Sequence, residues 1–203
     1  MDWLFDADKP LMRGLSAIAD LLILNLLTIL CSIPVITAGP AIIALFTTAI
    51  RMVRNEDGSL VRDYFRAFSA NLKLGILFWI LLLICMGLLY FDYLAAQAYA
   101  PVMSPVIAAM GVLVLAVSFY IFGLLARYAD TLKVTVKKAI FLAVGYFPRT
   151  LAMTAFFMAF WVLSIRYIQF GAPILLMFGL SLPCYVCAIL MNGIFTQLEN
   201  KKG

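Results

Sequence analysis

The sequence of 203 residues contains no histidine, and only 12% of its residues are charged. Histidine is the commonest general acid–base group and metal ligand, so its absence removes the most frequent basis for both kinds of site. The acidic residues show no spacing typical of catalytic carboxylates or metal ligands, and no glycine-rich phosphate-binding loop is present. The sequence therefore predicts a protein without catalysis, bound metal or cofactor.

Cysteine is also scarce, and the last two of the four cysteines, Cys184 and Cys187, form a Cys-x-x-Cys pair. Such a pair supplies half of a tetrahedral zinc site. Cys31 and Cys85 belong to other apolar stretches, and there is no histidine to complete the ligand set. We therefore interpret the cysteines as small packing residues.

Long runs of uncharged residues make up most of the sequence. Hydrophobic residues make up 66% of the chain, a proportion typical of membrane proteins. A helix needs roughly 20 apolar residues to cross a hydrocarbon core about 30 Å thick. The sequence predicts an all-α polytopic membrane protein. Its single domain would be a bundle of about six transmembrane helices, at residues 15–32, 41–52, 74–91, 106–126, 148–164 and 173–195.

Basic residues cluster at the ends of these stretches, where the positive-inside rule applies. With six crossings and both termini in the cytoplasm, every one of the fifteen basic residues except Arg166 lies on the cytoplasmic side. A five-span arrangement with residues 31–40 re-entrant would scatter the later basic clusters to both sides. The sequence therefore predicts a multi-pass protein of the cell membrane. Because these clusters account for the net charge of +5, nucleic acid is not a predicted partner.

Two polar segments between the spans have the pattern of amphipathic helices on the cytoplasmic side. Such helices lie in the membrane interface or dock on a partner, and anchoring to anionic lipid would explain them as well. The order of span, polar segment and span occurs twice, which hints at a weak duplication of a three-helix unit. The predicted contact residues are Phe65, Arg66, Phe68 and Lys73 in the first segment and Lys137, Lys138 and Arg149 in the second.

Asp20 is the one acidic residue in the body of a predicted span. An ionised carboxylate at a helix centre costs at least ~2.5 kcal/mol, so such a residue needs a partner or a function. Because Asp20 lies near the cytoplasmic interface, we expect a polar clasp with Arg51 or Arg54 rather than an ion relay. Asn25, five residues later, can form a hydrogen bond across helices.

The stretch CSIPVITAGP, from Cys31 to Pro40, interrupts a long uncharged run. Irregular backbone at membrane depth lines substrate sites in some transporters. Two prolines suit helix ends and a glycine suits a tight turn, which favours a simple connection between helices. The predicted orientation places this turn at the outer face, and a contact surface there is the alternative. The candidate residues are Ser32, Pro34, Thr37, Gly39 and Pro40.

Three stretches of this sequence resemble a known family. DLLILNLLTILCSIPVITAGPAIIALF (20–46), DYFRAFSANLK (63–73) and YFPRTL (146–151) are similar to the YesL-like family of bacterial multi-pass membrane proteins, a domain of unknown function. The resemblance extends over nearly the whole chain. It implies five or six spans and a genetic association with carbohydrate uptake and polysaccharide degradation, mainly in Gram-positive bacteria. It implies no reaction.

We therefore expect an integral membrane accessory protein that assists a carbohydrate ABC importer by packing on its permease subunits. The alternative is a small solute transporter or channel. The accessory function predicts a dry bundle interior, whereas transport predicts polar side chains that converge on a path. The lipid bilayer is a partner in both cases, and a homo-oligomer is compatible with both.

Overall fold

The computed structural model describes residues 10–56, 58–128, 132–167, 173 and 175–200. Apolar sequence in a membrane folds into helices, because a helix satisfies its backbone hydrogen bonds internally. The predicted cytoplasmic location of both termini concerns residues outside these ranges. The helices are α1 (Pro10–Cys31), α2 (Ala38–Val53), α3 (Leu60–Ala70), α4 (Leu72–Tyr99), α5 (Ser104–Arg127), α6 (Leu132–Gly145), α7 (Phe147–Arg166) and α8 (Ser181–Asn200).

Several of these helices could cross a membrane. In the described part of the chain, four are long and apolar enough: Val35–Val53, Leu72–Tyr99, Pro101–Arg127 and Phe147–Arg166. Two shorter apolar helices are Leu15–Cys31 and Ser181–Ile194. The all-helical fold is thus confirmed, and these helices indicate a membrane protein. The number of crossings stays a prediction.

Helix α2 lies at the centre of the bundle. It packs against α1, α3, α4, α5 and α8, and most of its side chains are buried. Small residues such as Ala41 and Ala44 let neighbouring helices approach closely, which stabilises helix association in lipid. The Phe46 ring stacks on Phe122 of α5, with 6.4 Å between ring centroids. A segment predicted as an ordinary span is therefore largely enclosed by other helices.

Helix α3 folds back along α2. Asn55 in the connection has a φ of 51°, in the left-handed region that asparagine tolerates. Arg51, near the end of α2, pairs with Asp63 at 2.9 Å. The Tyr64 hydroxyl donates to the Ala41 carbonyl, near the start of α2, at 3.3 Å. Together α2 and α3 form an antiparallel hairpin.

The connection between α1 and α2 lies beside the start of α4. A Cβ atom added at Gly75 would lie 2.8 Å from the Pro40 nitrogen and 2.9 Å from the Pro40 Cα, so the two backbones touch. Lys73 lies only about 3 Å from Gly75 along the helix axis. The sequence-based orientation put this connection and Lys73 on opposite faces of the membrane. That assignment is wrong, because both belong to one end of α4.

Helices α4, α5 and α7 share an end of the bundle. Phe78 in α4 contacts Phe122 in α5 edge to face, with 5.1 Å between ring centroids. The Tyr120 hydroxyl of α5 lies 2.9 Å from the Thr150 Oγ1 of α7. These contacts place the first residues of α4 and α7 beside the last residues of α5. We call this the basic end, defined by Lys73, Arg127 and Arg149.

The opposite halves of α4 and α5 present apolar side chains outward. Leu88 and Phe91 in α4 and Leu113 in α5 are each more than 60% exposed. Large exposed apolar surfaces of this kind mark contact with a membrane or another protein. These halves of α4 and α5 are therefore suited to contact with lipid acyl chains.

The predicted sixth span, 173–195, is not one continuous helix. Residues 175–178 are helical, a turn follows at Gly179 and Leu180, and α8 begins at Ser181. Residue 174 lies outside the described residues. The Gly179 amide still donates to the Leu175 carbonyl at 2.8 Å, with the spacing of a helical hydrogen bond. The interruption is therefore short.

Two parts of the chain have the same order of elements. In α2–α3–α4 and in α5–α6–α7, a helix is followed by a shorter helix packed against it. One residue, Asn71 or Tyr146, then separates the shorter helix from the next helix. This order is compatible with the duplication, which stays a prediction.

The contact between α2 and α4 can be tested with two glycines of α4. We expect Gly75→Ala to destabilise the protein by about 1–3 kcal/mol, because the added Cβ overpacks against Pro40. Gly87→Ala is the matched control, since a Cβ there meets nothing within 4 Å. Unfolding in detergent should show a lower midpoint for Gly75→Ala alone. Equal midpoints would contradict the close backbone contact.

Candidate functional site at the junction of α1 and α8

Asn25 joins α1 to the interruption before α8, and its side chain is fully buried. Its Oδ1 accepts hydrogen bonds from the Leu180 and Ser181 amides at 2.9 and 3.1 Å. Its Nδ2 donates to the Leu176 carbonyl at 2.8 Å. Helix ends leave such amides and carbonyls without an intrahelical partner. One side chain thus satisfies backbone groups on both sides of the interruption.

Hydroxyl groups surround this junction. Thr28, one turn after Asn25 in α1, is buried and donates to the Leu24 carbonyl of its own helix at 2.7 Å. The Ser181 hydroxyl is fully buried and has no hydrogen-bond partner among the described residues. The junction therefore holds one side-chain group whose hydrogen-bonding capacity is unused.

Tyr64 of α3 completes the buried polar group and was not predicted as a site residue. Its side chain is fully buried, and its phenol also interacts with Thr28 and Cys31 of α1. Burial raises the pKa of the Tyr64 phenol well above its usual value, and the hydrogen bond with Thr28 opposes this shift. The phenol therefore stays neutral at physiological pH and remains a donor to the Ala41 carbonyl.

The connection from Cys31 to Pro40 is a compact turn. The Thr37 hydroxyl lies 2.6 Å from the Cys31 carbonyl and 2.7 Å from the Pro34 carbonyl, which ties the end of α1 to the start of α2. Gly39 and Pro40 are buried against α4, while Ser32 is half-buried and Pro34 is exposed. These residues form a connection at the basic end, not the predicted turn at the far end.

The predicted clasp between Asp20 and the arginines of α2 is not formed. Arg51 instead pairs with Asp63 at 2.9 Å and with Glu56 at 3.2 Å, and Arg54 pairs with Glu56 at 3.4 Å. Asp20 is half-buried, and no ion pair to it is found among the described residues. The arginines thus close the α2–α3 hairpin rather than joining it to α1.

The predicted contact residues of α3 divide between two faces. Phe65 and Arg66 are exposed, as is Lys73 at the start of α4. Phe68 is half-buried and packs partly against the core. Tyr64 and Ala67 are buried, so one face of this amphipathic helix packs on the bundle itself.

The predicted contact residues of the second segment lie at the basic end. Lys137 and Lys138 of α6 are exposed, and the Lys138 ammonium lies 5.6 Å from the Tyr128 ring centroid. Arg149 is half-buried, with its guanidinium carbon 5.8 Å from the Tyr146 ring centroid. These distances are typical of cation–π contacts.

Several buried hydroxyl groups in the described part of the chain bond to a carbonyl one turn earlier in their own helix. Thr48 donates to the Ala44 carbonyl at 2.9 Å, and Ser118 donates to the Val114 carbonyl at 2.7 Å. A hydroxyl paired in this way has its proton engaged and can offer a solute only an acceptor. The arrangement acts chiefly as a set of structural hydrogen bonds between and within helices.

Asn25 was identified from the sequence as a residue that bonds across helices, but its partners were not. Leu180 and Ser181 lie 155 and 156 residues away in the chain. They contribute backbone amides, and any residue type except proline carries such an amide. Only the interruption before α8, itself hidden in an apolar run, could have indicated them.

A family model described as a protein of unknown function, DUF624, matches residues 21–93. The match begins within α1 and ends within α4, so it includes α2, α3 and the turn from Cys31 to Pro40. It covers less than half of the chain. No curated protein matches the chain, and no solved structure matches it.

The capping function of Asn25 predicts a specific loss. Asn25→Leu keeps a similar volume but leaves two amides and a carbonyl unpaired, which we expect to cost about 1–3 kcal/mol. Thr48→Val is the control, because it removes a buried hydroxyl that bonds only within its own helix. In Asn25→Leu, amide hydrogen exchange should accelerate at Leu180 and Ser181. Unchanged exchange there would refute the capping function.

Proposed function

We propose that this protein is an integral membrane accessory protein without catalysis of its own, which assists a carbohydrate ABC importer. It would act by packing against the importer's permease subunits in the plasma membrane. The observation that carries the proposal is how the interior of the bundle is filled. Helix α2 fills the centre, and the buried hydroxyls of Thr28, Thr48 and Ser118 bond to their own helices.

The carbohydrate part of the proposal has a different basis. Residues 20–46 and 63–73 resemble the YesL-like family, which is associated with carbohydrate uptake. The match of residues 21–93 to a domain of unknown function is compatible with this resemblance. Because that domain includes the α2–α3 hairpin, we assign the interaction with the importer to the hairpin.

The exposed face of α3 has the properties of a docking surface. Arg62, Phe65 and Arg66 are exposed on it, while Tyr64 on the other face is fixed by the Ala41 carbonyl. The Arg51–Asp63 ion pair holds the start of α3 against α2. An exposed aromatic between two arginines on a rigid helix is a composition that protein interfaces favour.

The basic end would face the cytoplasm. Lys73, Arg127 and Arg149 lie at this end, and the positive-inside rule associates such clusters with the cytoplasmic side. Helix α8 runs toward the same end, since Gly193 lies beside the Arg149 guanidinium. The carboxyl terminus is therefore also proposed to be cytoplasmic, in agreement with the orientation predicted from the sequence.

The amino-terminal end of α1 is proposed to lie on the side of the membrane opposite the basic end. The end of α1 at Cys31 is tied by Thr37 to the start of α2, which touches Gly75 at the basic end. A helix of 22 residues is about 33 Å long, enough to reach the other face. The geometry thus favours an external start for α1, with α2 and α3 as a hairpin on the cytoplasmic side. The sequence predicts six crossings and a cytoplasmic amino terminus.

Reporter fusions distinguish these orientations. A phosphatase fused to the amino terminus should be active only if that terminus is external, whereas a fluorescent protein fused to the carboxyl terminus should fluoresce in the cytoplasm. Activity of the amino-terminal phosphatase would support the arrangement derived from the α1–α4 proximity. A silent phosphatase, with a fluorescent amino-terminal fusion, would instead support the cytoplasmic amino terminus that the sequence predicts.

Transport remains the second candidate function, and one observation favours it. The helix is interrupted between residue 178 and Ser181. Discontinuous helices of this kind line substrate sites in transporters. The Ser181 hydroxyl, which has no hydrogen-bond partner in the part of the chain that the structure describes, lies at this interruption. A polar solute could bond there if the Asn25 contacts opened.

The accessory proposal predicts that substitutions on the exposed face of α3 reduce binding of the permease subunits. Tagged protein purified from its native membrane in mild detergent should recover permease subunits of a sugar importer in near-stoichiometric amount by mass spectrometry. Phe65→Ala with Arg66→Gln should reduce this recovery about tenfold or more, because the surface loses an aromatic anchor and a charge. Phe91→Ala, at an exposed position in the outward half of α4, is the matched control.

Two results would contradict the proposal. Recovery of the protein alone or as a homo-oligomer would remove the importer as partner. Solute uptake by liposomes that contain only this protein would establish transport, and it should then depend on Ser181.

A further inference from the structure

The Ser181 hydroxyl at the start of α8 is the buried polar group that the junction leaves unsatisfied. Ser181 is the first residue of this helix, and its side chain is fully buried. Its Oγ has no hydrogen-bond partner among the residues that the structure describes. A buried hydroxyl in this state costs free energy, because its hydrogen bonds to water are lost and not replaced. The hydroxyl therefore points to a ligand that supplies the missing bond.

Asn25 brings a second unused donor to the same junction. Its Nδ2 carries two protons, and one of them is donated to the Leu176 carbonyl at 2.8 Å. No bond of the second proton is found in the described ranges of the chain. Because the Asn25 Oδ1 holds the Ser181 amide at 3.1 Å, the Ser181 hydroxyl and this second proton belong to one junction.

The side chains of the junction are polar but uncharged. Thr28 lies one turn after Asn25 on the same face of α1, and both are fully buried. The Thr28 hydroxyl donates to the Leu24 carbonyl at 2.7 Å, so its oxygen can still accept a hydrogen bond. These neutral groups do not compensate the burial of an ion's charge, whereas they match an uncharged ligand. A hydroxyl group matches them well, because it both accepts and donates.

The burial of the junction limits the size of the ligand. Ser181, Asn25 and Thr28 are all inaccessible from outside the fold. Polar groups freed by a broken helix at membrane depth are satisfied by neighbouring protein or by ordered water. A buried water makes roughly three hydrogen bonds, the number that two donors and one acceptor provide. The closed junction therefore suits one small molecule.

We propose that the junction of α1 and α8 binds one neutral, hydroxyl-bearing molecule, whose oxygen accepts hydrogen bonds from the Ser181 Oγ and the Asn25 Nδ2. Water and a small polyhydroxylated solute share this chemistry. Water fits the closed junction and is independent of the functions proposed above. A solute requires the Asn25 contacts to open, so that source alone rests on the proposed transport function.

Hydroxyl-radical footprinting of the full-length protein in detergent tests the site. Radiolysis of a bound water produces radicals in place, so a buried thiol next to that water is oxidised. Cys184 is the reporter, because it lies one turn after Ser181 on the same face of α8 and is only 8% exposed. Cys187, which is fully buried in the same helix, is the internal control. We expect Cys184 to be oxidised several times faster than Cys187.

Two variants test whether Ser181 holds the ligand. Ser181→Ala should lower the rate of Cys184 oxidation to that of Cys187. It should also raise the equilibrium constant of unfolding about fivefold, the equivalent of one lost hydrogen bond. A hydroxyl without a ligand predicts the opposite sign, because the substitution would then remove an unpaired polar group. Ser118→Ala is the matched control and should leave Cys184 oxidation unchanged, since the Ser118 hydroxyl donates within its own helix at 2.7 Å.

Repeating the footprinting in glycerol, as a probe, separates the two sources of the hydroxyl. A lower ratio of Cys184 to Cys187 oxidation would identify a hydroxylated solute, and an unchanged ratio would identify water. Neither result depends on solute uptake, so failure of the transport function would leave it unchanged.

Three results would overturn the proposal. Two of them are equal oxidation of Cys184 and Cys187 in the wild type and stabilisation of the protein by Ser181→Ala. The third is a loss of stability in Ser181→Ala without a change in Cys184 oxidation, which would indicate an acceptor within the chain.

Discussion

The backbone contact between the start of α2 and the start of α4 constrains the rest of the structure. Because Gly75 touches Pro40, the turn from Cys31 to Pro40 must lie at the end of the bundle where α4 begins. Helix α3 must then return along α2 within a few residues, which brings Tyr64 to the Ala41 carbonyl and Asp63 to Arg51. The central position of α2, enclosed by five helices, follows from this arrangement.

The second constraint is the interruption before α8. In lipid, backbone groups freed by a broken helix need partners from the protein. Asn25 supplies them from α1, and it thereby couples the first and last helices of the described chain. These Asn25 hydrogen bonds are compatible with both functional proposals. If they stay closed they suit a structural accessory protein, and if they opened they would expose Ser181.

Periodicity and composition predicted the helices well because those features are local. Long uncharged runs and the amphipathic pattern after residue 60 are visible in any short window of sequence. Partners were predicted less well. Asp20 was expected to pair with Arg51 or Arg54, but Asp63 and Glu56 are closer in sequence to those arginines, and the hairpin brings them together. The amphipathic pattern of the first polar segment does not reveal whether lipid or protein covers its apolar face, so the burial of Tyr64 by the bundle could not be predicted from it.

The sequence by itself determined the all-helical class, the apolar character and the clustering of basic residues between helices. It did so because hydrophobicity and charge act through residue type and spacing alone. Only the tertiary structure decided that the Cys31–Pro40 turn lies beside Gly75 and that Asn25 caps backbone groups more than 150 residues away. Those outcomes depend on which helix faces approach each other, and small residues or backbone amides at the contacts leave no distinctive pattern in the sequence.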